Sequence, residues 1–214
     1  MSEILPYRAG DAHWLSDRIK HVVAHGGIVA VPTETYYGLG VNPFDPQAVD
    51  RLLRVKGRPD GKPILVLIGN RGQLAMLVQK VSRAATLLMD TFWPGPLTIL
   101  FTAAPSLPSN LTAGTGTIGV RLSSCGPLAE LLAVTGPLTG TSANRAGDSP
   151  AQYASQVQDI LGQDLSLIVD AGPTPGGPPS TVIDARETAS VIREGAVTRQ
   201  MLQDVLQTDG ILLT

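Results

Sequence analysis

The sequence predicts a single-domain α/β protein whose sheet is mixed rather than purely parallel. Three observations carry this expectation. Short apolar runs alternate with stretches of helical period along the whole chain. At 214 residues the chain is of one-domain size, and no internal repeat or linker divides it. Near the C-terminus, Thr181–Ile183 and Ser190–Ile192 are spaced as a hairpin, which places an antiparallel pair in the sheet.

Each element has a local reason. Asp11–His25 reads as a helix with Leu15, Ile19, Val22 and Val23 on one face, stopped by Gly26-Gly27. Ile28–Val31 is a short buried strand ended by Pro32, and a polar turn runs from Thr33 to Gly40. Asp45-Pro46 supplies an N-cap and a first-turn proline; that helix turns Val49, Leu52 and Leu53 inward and ends near Lys56-Gly57. Ile64–Ile68 is a strand, and Gln73–Asp90 is helical with a break near Val81. The turn Trp93–Pro96 leads into a strand at Leu97–Phe101, followed by a Pro-, Ser-, Thr- and Gly-rich loop over 103–116. Ile118–Leu122 is a strand, Pro127–Ala133 a helix, and Leu138–Thr141 a strand that runs into Ser142-Ala143-Asn144. A helix at Tyr153–Leu161, a strand at Leu167–Val169, a Gly/Pro loop at 173–179, the hairpin and a helix at Thr198–Leu206 complete the chain.

A net charge of −2 and only 4% aromatic residues argue against a surface given over to nucleic-acid binding. Arginine makes up 12 of the 16 basic residues, and its planar fork suits carboxylates and phosphates. The single cysteine, Cys125, excludes an internal disulfide and fits a reducing compartment. The N-terminal segment has no basic and apolar leader pattern, and no apolar run reaches the ~18 residues of a membrane span. A cytoplasmic protein away from membranes is expected.

Polar residues gather beyond the strand ends, where open α/β sheets bind ligands. The clusters are Thr33–Gly40, Lys56–Pro63, Thr117–Arg121, and Thr139–Asn144 with Ser180-Thr181. Between Arg51 and Lys62 stand Arg51, Arg54, Lys56, Arg58 and Lys62 against one acid, Asp60. Such a segment suits a polyphosphate, and equally a helix end whose charges complement the macrodipole. The Ser/Thr loops suit either turn capping or a polar ligand.

Several motif spellings fail. Gly114–Gly119 fits G-x-G-x-x-G but precedes a strand instead of opening a helix. Gly57–Lys62 is one residue short of a P-loop, with Pro63 where Ser or Thr would hold magnesium. Ser142 lacks the second glycine of a nucleophile elbow, His21 and His25 lack a third metal ligand, and Cys125 lacks a base.

The segments PTETYYGLG (32–40), KGRP (56–59), WPGPLT (93–98), GVR (119–121), TSAN (141–144) and STVID (180–184) occur in order over residues 28–195. The set resembles the YrdC-type family, the L-threonylcarbamoyladenylate synthases. The resemblance implies one YrdC-like domain over residues 1–214, with its motif-bearing core at about 10–196. The implied fold is a twisted mixed open sheet with flanking helices around a positively charged cavity, in the short, single-domain form.

It also implies a nucleotidyltransferase that makes threonylcarbamoyl-AMP and pyrophosphate from L-threonine, bicarbonate or CO2, and ATP, for the N6-threonylcarbamoyladenosine modification of tRNA. By the same resemblance Lys56 and Arg58 are catalytic and face the ATP phosphates, with Lys62, Thr117, Ser142, Asn144, Ser149 and Arg193 on the nucleotide side. Thr35, Arg121, Thr141 and Ser180 would hold threonine, Arg121 through its carboxylate. Mg2+ would arrive with ATP, with no organic cofactor and no metal site made by the protein.

Implied partners are tRNA or double-stranded RNA and the downstream proteins that transfer the threonylcarbamoyl group. Lys62, Leu67 and Pro179 depart from residues common in the family (Asn, His and an acid), and the hydroxyl after TSAN is shifted to Ser149 or Pro150. Leu67 and Pro179 keep open a carbamoyl-adenylate enzyme acting on another substrate, and the resemblance with its cationic cavity also permits an RNA-binding or ribosome-associated module. The chemistry explains the absent nucleophile. The amine adds to CO2, a carbamate oxygen attacks the α-phosphorus, and pyrophosphate leaves, so positioning and electrostatics do the catalysis.

Overall fold

The computed structural model describes residues 2–8, 10, 12–57 and 63–214. Arg58 and Lys62 lie outside the described residues. Ten strands of the described residues join in one sheet: β1 (Glu3–Pro6), β2 (Val29–Val31), β3 (Gly38–Gly40), β4 (Leu65–Ile68), β5 (Leu97–Thr102), β6 (Thr117–Leu122), β7 (Leu138–Ser142), β8 (Leu167–Asp170), β9 (Thr181–Asp184) and β10 (Ser190–Arg193). Their order across the sheet is β1-β8-β2-β3-β7-β4-β6-β5-β9-β10. The pairs β1–β8, β8–β2, β4–β6 and β5–β9 are parallel. The remaining neighbours are antiparallel, the expected β9–β10 hairpin among them.

The helices are α1 (Ala12–Ala24), α2 (Pro46–Lys56), α3 (Arg83–Phe92), α4 (Gly126–Thr135), α5 (Ala154–Leu161) and α6 (Arg199–Gln207). α2 starts where Asp45 accepts from the Gln47 and Ala48 amides, and it stops at Gly57, whose φ of 55° is left-handed. The helix expected over 73–90 is two elements. A 3-10 turn, Arg71–Met76, precedes α3, which begins at the Ser82 cap beside the expected break. The first half is not α-helical because Gln73 is buried and spends its side chain elsewhere. Its Oε1 accepts from the Gly69 amide and its Nε2 donates to the Leu132 carbonyl.

Two strands were not anticipated. β1 offers only four residues and gains its place by pairing parallel with β8. β3 reads as a turn because it is Gly-Leu-Gly, yet it is seated between β2 and β7. There the glycines permit close approach: a Cβ on Gly40 would stand 3.2 Å from the Leu138 Cβ.

The period of two along each strand sorts the side chains into layers. Val66, Ile68, Ile99, Phe101, Ile118, Val120 and Ile183 enter the larger core with residues of α2, α3, α5 and α6. The opposite set, including Val29, Val31, Leu67, Leu138, Leu167 and Val169, enters a smaller core with α1 and α4. Farther along that second face, alternate residues of β4 to β9 border a cavity instead of a helix. No helix among the described residues is long and apolar enough to cross a membrane.

Candidate active site

The cavity has a volume of about 510 Å³. Its floor is the second sheet face: Leu65 and Leu67 of β4, Thr98 and Leu100 of β5, Gly119 and Arg121 of β6, Gly140 of β7, and Val182 of β9 with Ser180 just before it. Two strand glycines keep this floor low. A Cβ on Gly140 would lie 2.6 Å from the Leu67 Cγ and 2.8 Å from the Leu65 Cδ1. One on Gly119 would lie 3.1 Å from the Thr98 Cγ2.

The walls are Thr33, Thr35, Tyr36 and Tyr37 from the β2–β3 loop with Gly38 of β3, Thr141, Ser142, Ala146 and Pro150 around the end of β7, and Lys56 and Pro63. Pro179 and Arg193 border it as well. The Gly/Pro loop over 172–179 is pinned beside this wall. Tyr37 donates its hydroxyl to the Gly172 carbonyl at 2.8 Å, the Gly176 amide donates to the Thr35 carbonyl at 2.7 Å, and Tyr36 donates to the Gly177 carbonyl at 2.9 Å.

Among the described residues, three cations border the cavity. Lys56 is 5% exposed, in the last turn of α2. Its Nζ donates to the Ser142 carbonyl at 2.6 Å, the Asn144 carbonyl at 2.6 Å and the Asn144 Oδ1 at 2.7 Å. It therefore fastens the segment after β7 to the end of α2. Arg121 is 6% exposed. Its Nε stands 3.4 Å from Glu34 Oε1, and neither atom makes a hydrogen bond. Burial pulls its basicity below the ordinary guanidinium value, Glu34 opposes that fall, and Arg193 adds to it. Arg193 donates to the Ser180 carbonyl at 2.8 Å and, more weakly, to its Oγ at 3.4 Å. Burial lowers its basicity too. The hydroxyls of Ser180 and Thr98 are 3.2 Å apart.

The other sequence-derived residues divide into those on the cavity and those behind it. Thr35 borders the cavity, with its hydroxyl 3.1 Å from that of Thr33. Thr141 and Ser142 border it as well. Ser142 donates to the Asn144 Oδ1 at 2.6 Å. Asn144 is buried behind that wall, where its amide nitrogen donates to the Asp148 carbonyl. Thr117 lies on the floor's face one strand step beyond Gly119 and shares a 2.8 Å hydrogen bond with the Thr115 hydroxyl. Ser149 is exposed, and its neighbour Pro150 borders the cavity.

Sequence reasoning passed over Glu34, Ser123, Thr98, Gly119 and Gly140. A signal for three of them exists. Thr98 interrupts the apolar residues of β5, Gly119 shares its parity with Thr117 and Arg121 in β6, and Gly140 is the small residue between two threonines in β7.

Cys125 precedes α4 without capping it, and burial pushes its thiol above the ordinary range. It is not poised as a nucleophile. His21 and His25 are exposed, with ring centroids 4.4 Å apart. Among the described residues, no group of three or more His, Cys, Asp or Glu could hold a metal ion. What the arrangement offers is cationic and hydroxyl lining on a partly apolar floor, which suits small anionic ligands held side by side.

A family model for the Sua5, YciO and YrdC proteins, described as "Telomere recombination", matches residues 21–195. A relative from Mycobacterium tuberculosis named "Putative threonylcarbamoyl-AMP synthase" is 36% identical over 189 residues, covering 88% of this chain and 87% of its own. The fold is similar to the crystal structure of P. abyssi Sua5 complexed with L-threonine: TM-score 0.89 and 30% identity, over 100% of this chain and 62% of that one. The chain thus spans less than two thirds of that protein. It is also similar to E. coli YciO, with a TM-score of 0.80 and 27% identity over 92% of this chain and 97% of that one. By its matched segments, its sheet and its cavity, the chain belongs to the Sua5/YciO/YrdC family.

Proposed function

We propose that this protein is an L-threonylcarbamoyladenylate synthase, forming threonylcarbamoyl-AMP and pyrophosphate from L-threonine, bicarbonate or CO2, and ATP. One observation carries the reading. Arg121 stands on the cavity floor, almost wholly buried, and no hydrogen bond from the described residues satisfies its guanidinium. Glu34 offsets the charge from 3.4 Å, yet the buried guanidinium keeps unused donors, and these suit a further anion. An amino-acid carboxylate in the cavity supplies that anion, with the hydroxyls of Thr35, Thr141 and Ser180 around the rest of the molecule. The names of the relatives and the threonine complex of P. abyssi Sua5 support the choice of threonine.

The nucleotide then occupies the side bordered by Lys56 and Ser142, with Arg58, Lys62, Thr117, Asn144, Ser149 and Arg193 assigned to it from their motifs. The threonine amine adds to CO2 and loses a proton, giving a carbamate. A carbamate oxygen bonds to the α-phosphorus as the bond to pyrophosphate breaks. Lys56 contributes by fixing the Ser142–Asn144 wall, and Arg121 and Arg193 by offsetting charge as two anions are brought together. Mg2+ would travel with the triphosphate and offset its charge, with no protein ligand assigned to it in this reading. The adenylate feeds tRNA modification through separate transfer proteins, in a reducing cytoplasmic setting that suits a single thiol.

A second reading has one specific observation behind it. Leu67 forms the floor with Leu65, Leu100 and Val182, and this apolar surface suits an amino acid with a larger apolar side chain. One experiment separates the readings. The purified protein is incubated with ATP, Mg2+, bicarbonate and each amino acid in turn, with rapid mass spectrometry for the mixed anhydride and a pyrophosphate assay. Threonine-dependent formation of both products is expected. Turnover with another amino acid alone would favour the second reading. Salt-sensitive tRNA binding with no turnover would leave an RNA-binding module.

A further inference from the structure

Glu34 sits between two threonines that border the cavity, Thr33 and Thr35, yet it does not border the cavity itself. Its Oε1 is buried 3.4 Å from Arg121 Nε without a hydrogen bond, while its Oε2 accepts one from Ser123 Oγ. Ser123 Oγ in turn accepts from the Cys125 amide at 3.2 Å. Arg121 and Ser123 are two residues apart, on one side of the chain at the end of β6. An arginine–carboxylate fork would commit both carboxylate oxygens to the guanidinium. Here Ser123 holds one of them back, so Glu34 acts on Arg121 as a charge rather than as a matched partner. The remaining guanidinium donors are left for the cavity.

We propose that Glu34 is the resident counter-ion of Arg121, held off by Ser123, and that it sets how tightly the cavity grips a ligand carboxylate. The proposal rests on the reading of Arg121 as the carboxylate site. In the empty cavity Glu34 offsets the buried guanidinium. Once a ligand carboxylate arrives on the cavity side, two anions share one cation and repel each other. At an effective dielectric of about 20, like charges on the order of 8 Å apart alter binding by roughly tenfold or more. The charge at position 34 therefore stabilises the empty protein and loosens its hold on the ligand, which favours release of the bulkier adenylate. Glu34 and Ser123 are positioning residues, because they act through Arg121.

The test is calorimetric titration with L-threonine and with L-threoninamide, which lacks the carboxylate, on the wild type, Glu34→Gln and Ser123→Ala. Glu34→Gln keeps the shape and the Ser123 hydrogen bond but removes the charge. It is expected to unfold at a lower temperature while its preference for threonine over the amide rises about tenfold, by linkage. Ser123→Ala frees the carboxylate to pair fully with Arg121, and the preference is expected to fall severalfold. A merely structural role would move both ligands together. An unchanged or reduced preference in Glu34→Gln overturns the proposal. Should that variant not fold, an unchanged preference in Ser123→Ala overturns it. A wild type that does not distinguish threonine from the amide overturns the carboxylate assignment of Arg121, and the proposal with it.

Discussion

Replacing Lys56 by Met keeps the length and apolar stem of the side chain and removes its ammonium. Three acceptors lose their donor: the Ser142 and Asn144 carbonyls and the Asn144 Oδ1. The Oδ1 still accepts from Ser142 Oγ and the Ser142 carbonyl from the Asn144 amide, so the Asn144 carbonyl loses its charged partner without that compensation. A buried acceptor without its partner costs about 1–3 kcal/mol, which gives about 2 kcal/mol here. At about 2.1 cal/mol/K of unfolding entropy per residue, a chain of 214 residues loses roughly 4 °C of melting temperature. The assay is thermal unfolding followed by near-ultraviolet circular dichroism, beside threonine-dependent pyrophosphate release. Both stability and turnover are expected to fall, and Lys56→Arg is expected to recover neither fully, because a planar fork does not match three converging oxygens. A Lys56→Met protein that melts within a degree of the wild type but is inactive would refute the reasoning. The lysine would then serve the nucleotide alone and not the wall.

Gly140→Ala drives a methyl group to within 3 Å of Leu65 and Leu67 on the floor. It is expected to cost about 1–3 kcal/mol and to weaken amino-acid binding, with the double variant Gly140→Ala, Leu67→Ala recovering binding by calorimetry. Burial raises the Cys125 thiol, so less thiolate is present at a given pH than in a free cysteine. The midpoint of its alkylation by iodoacetamide is expected above the about pH 8.5 of a free thiol, and a midpoint at or below that pH would contradict the assignment. Asp45→Ala removes the acceptor for two amides at the start of α2 and is expected to cost about 1 kcal/mol in urea unfolding with turnover unchanged.

Most of the fold was legible because strand and helix periods separate cleanly in this chain. The Asp45-Pro46 start of α2 and the β9–β10 hairpin follow from local chemistry alone. β3 was hidden because Gly-Leu-Gly has turn composition, and only its two neighbours make it a strand. The 3-10 turn at Arg71–Met76 was hidden because Gln73 bonds to Leu132, 59 residues away. At the site, the motifs pointed to the residues on the walls, Thr35, Lys56, Thr141 and Ser142, since polar residues past strand ends stand out. Glu34 lies within the PTETYYGLG segment but was given no role there, and Ser123 belongs to no quoted segment. Their meaning depends on a tertiary approach between the β2–β3 loop and the end of β6. Asn144 was correctly located in its motif, but its place behind the wall, gripping Lys56, is a three-dimensional fact.

Because the hollow is cut into strands instead of being framed by loops alone, its base cannot breathe with its contents. The amides of β6 are tied to β4 on one side and to β5 on the other, so they exchange with solvent only through large-scale opening, whether the site is full or empty. Any give must come from the sides, where the stretch through Gly172, Thr174, Gly176 and Gly177 is held by scattered bonds to Tyr37, Gln152, Thr35 and Tyr36 instead of a strand ladder. Shape discrimination is thereby vested in an inelastic base, and any tempo of admission and discharge in the loop-built margin beside it.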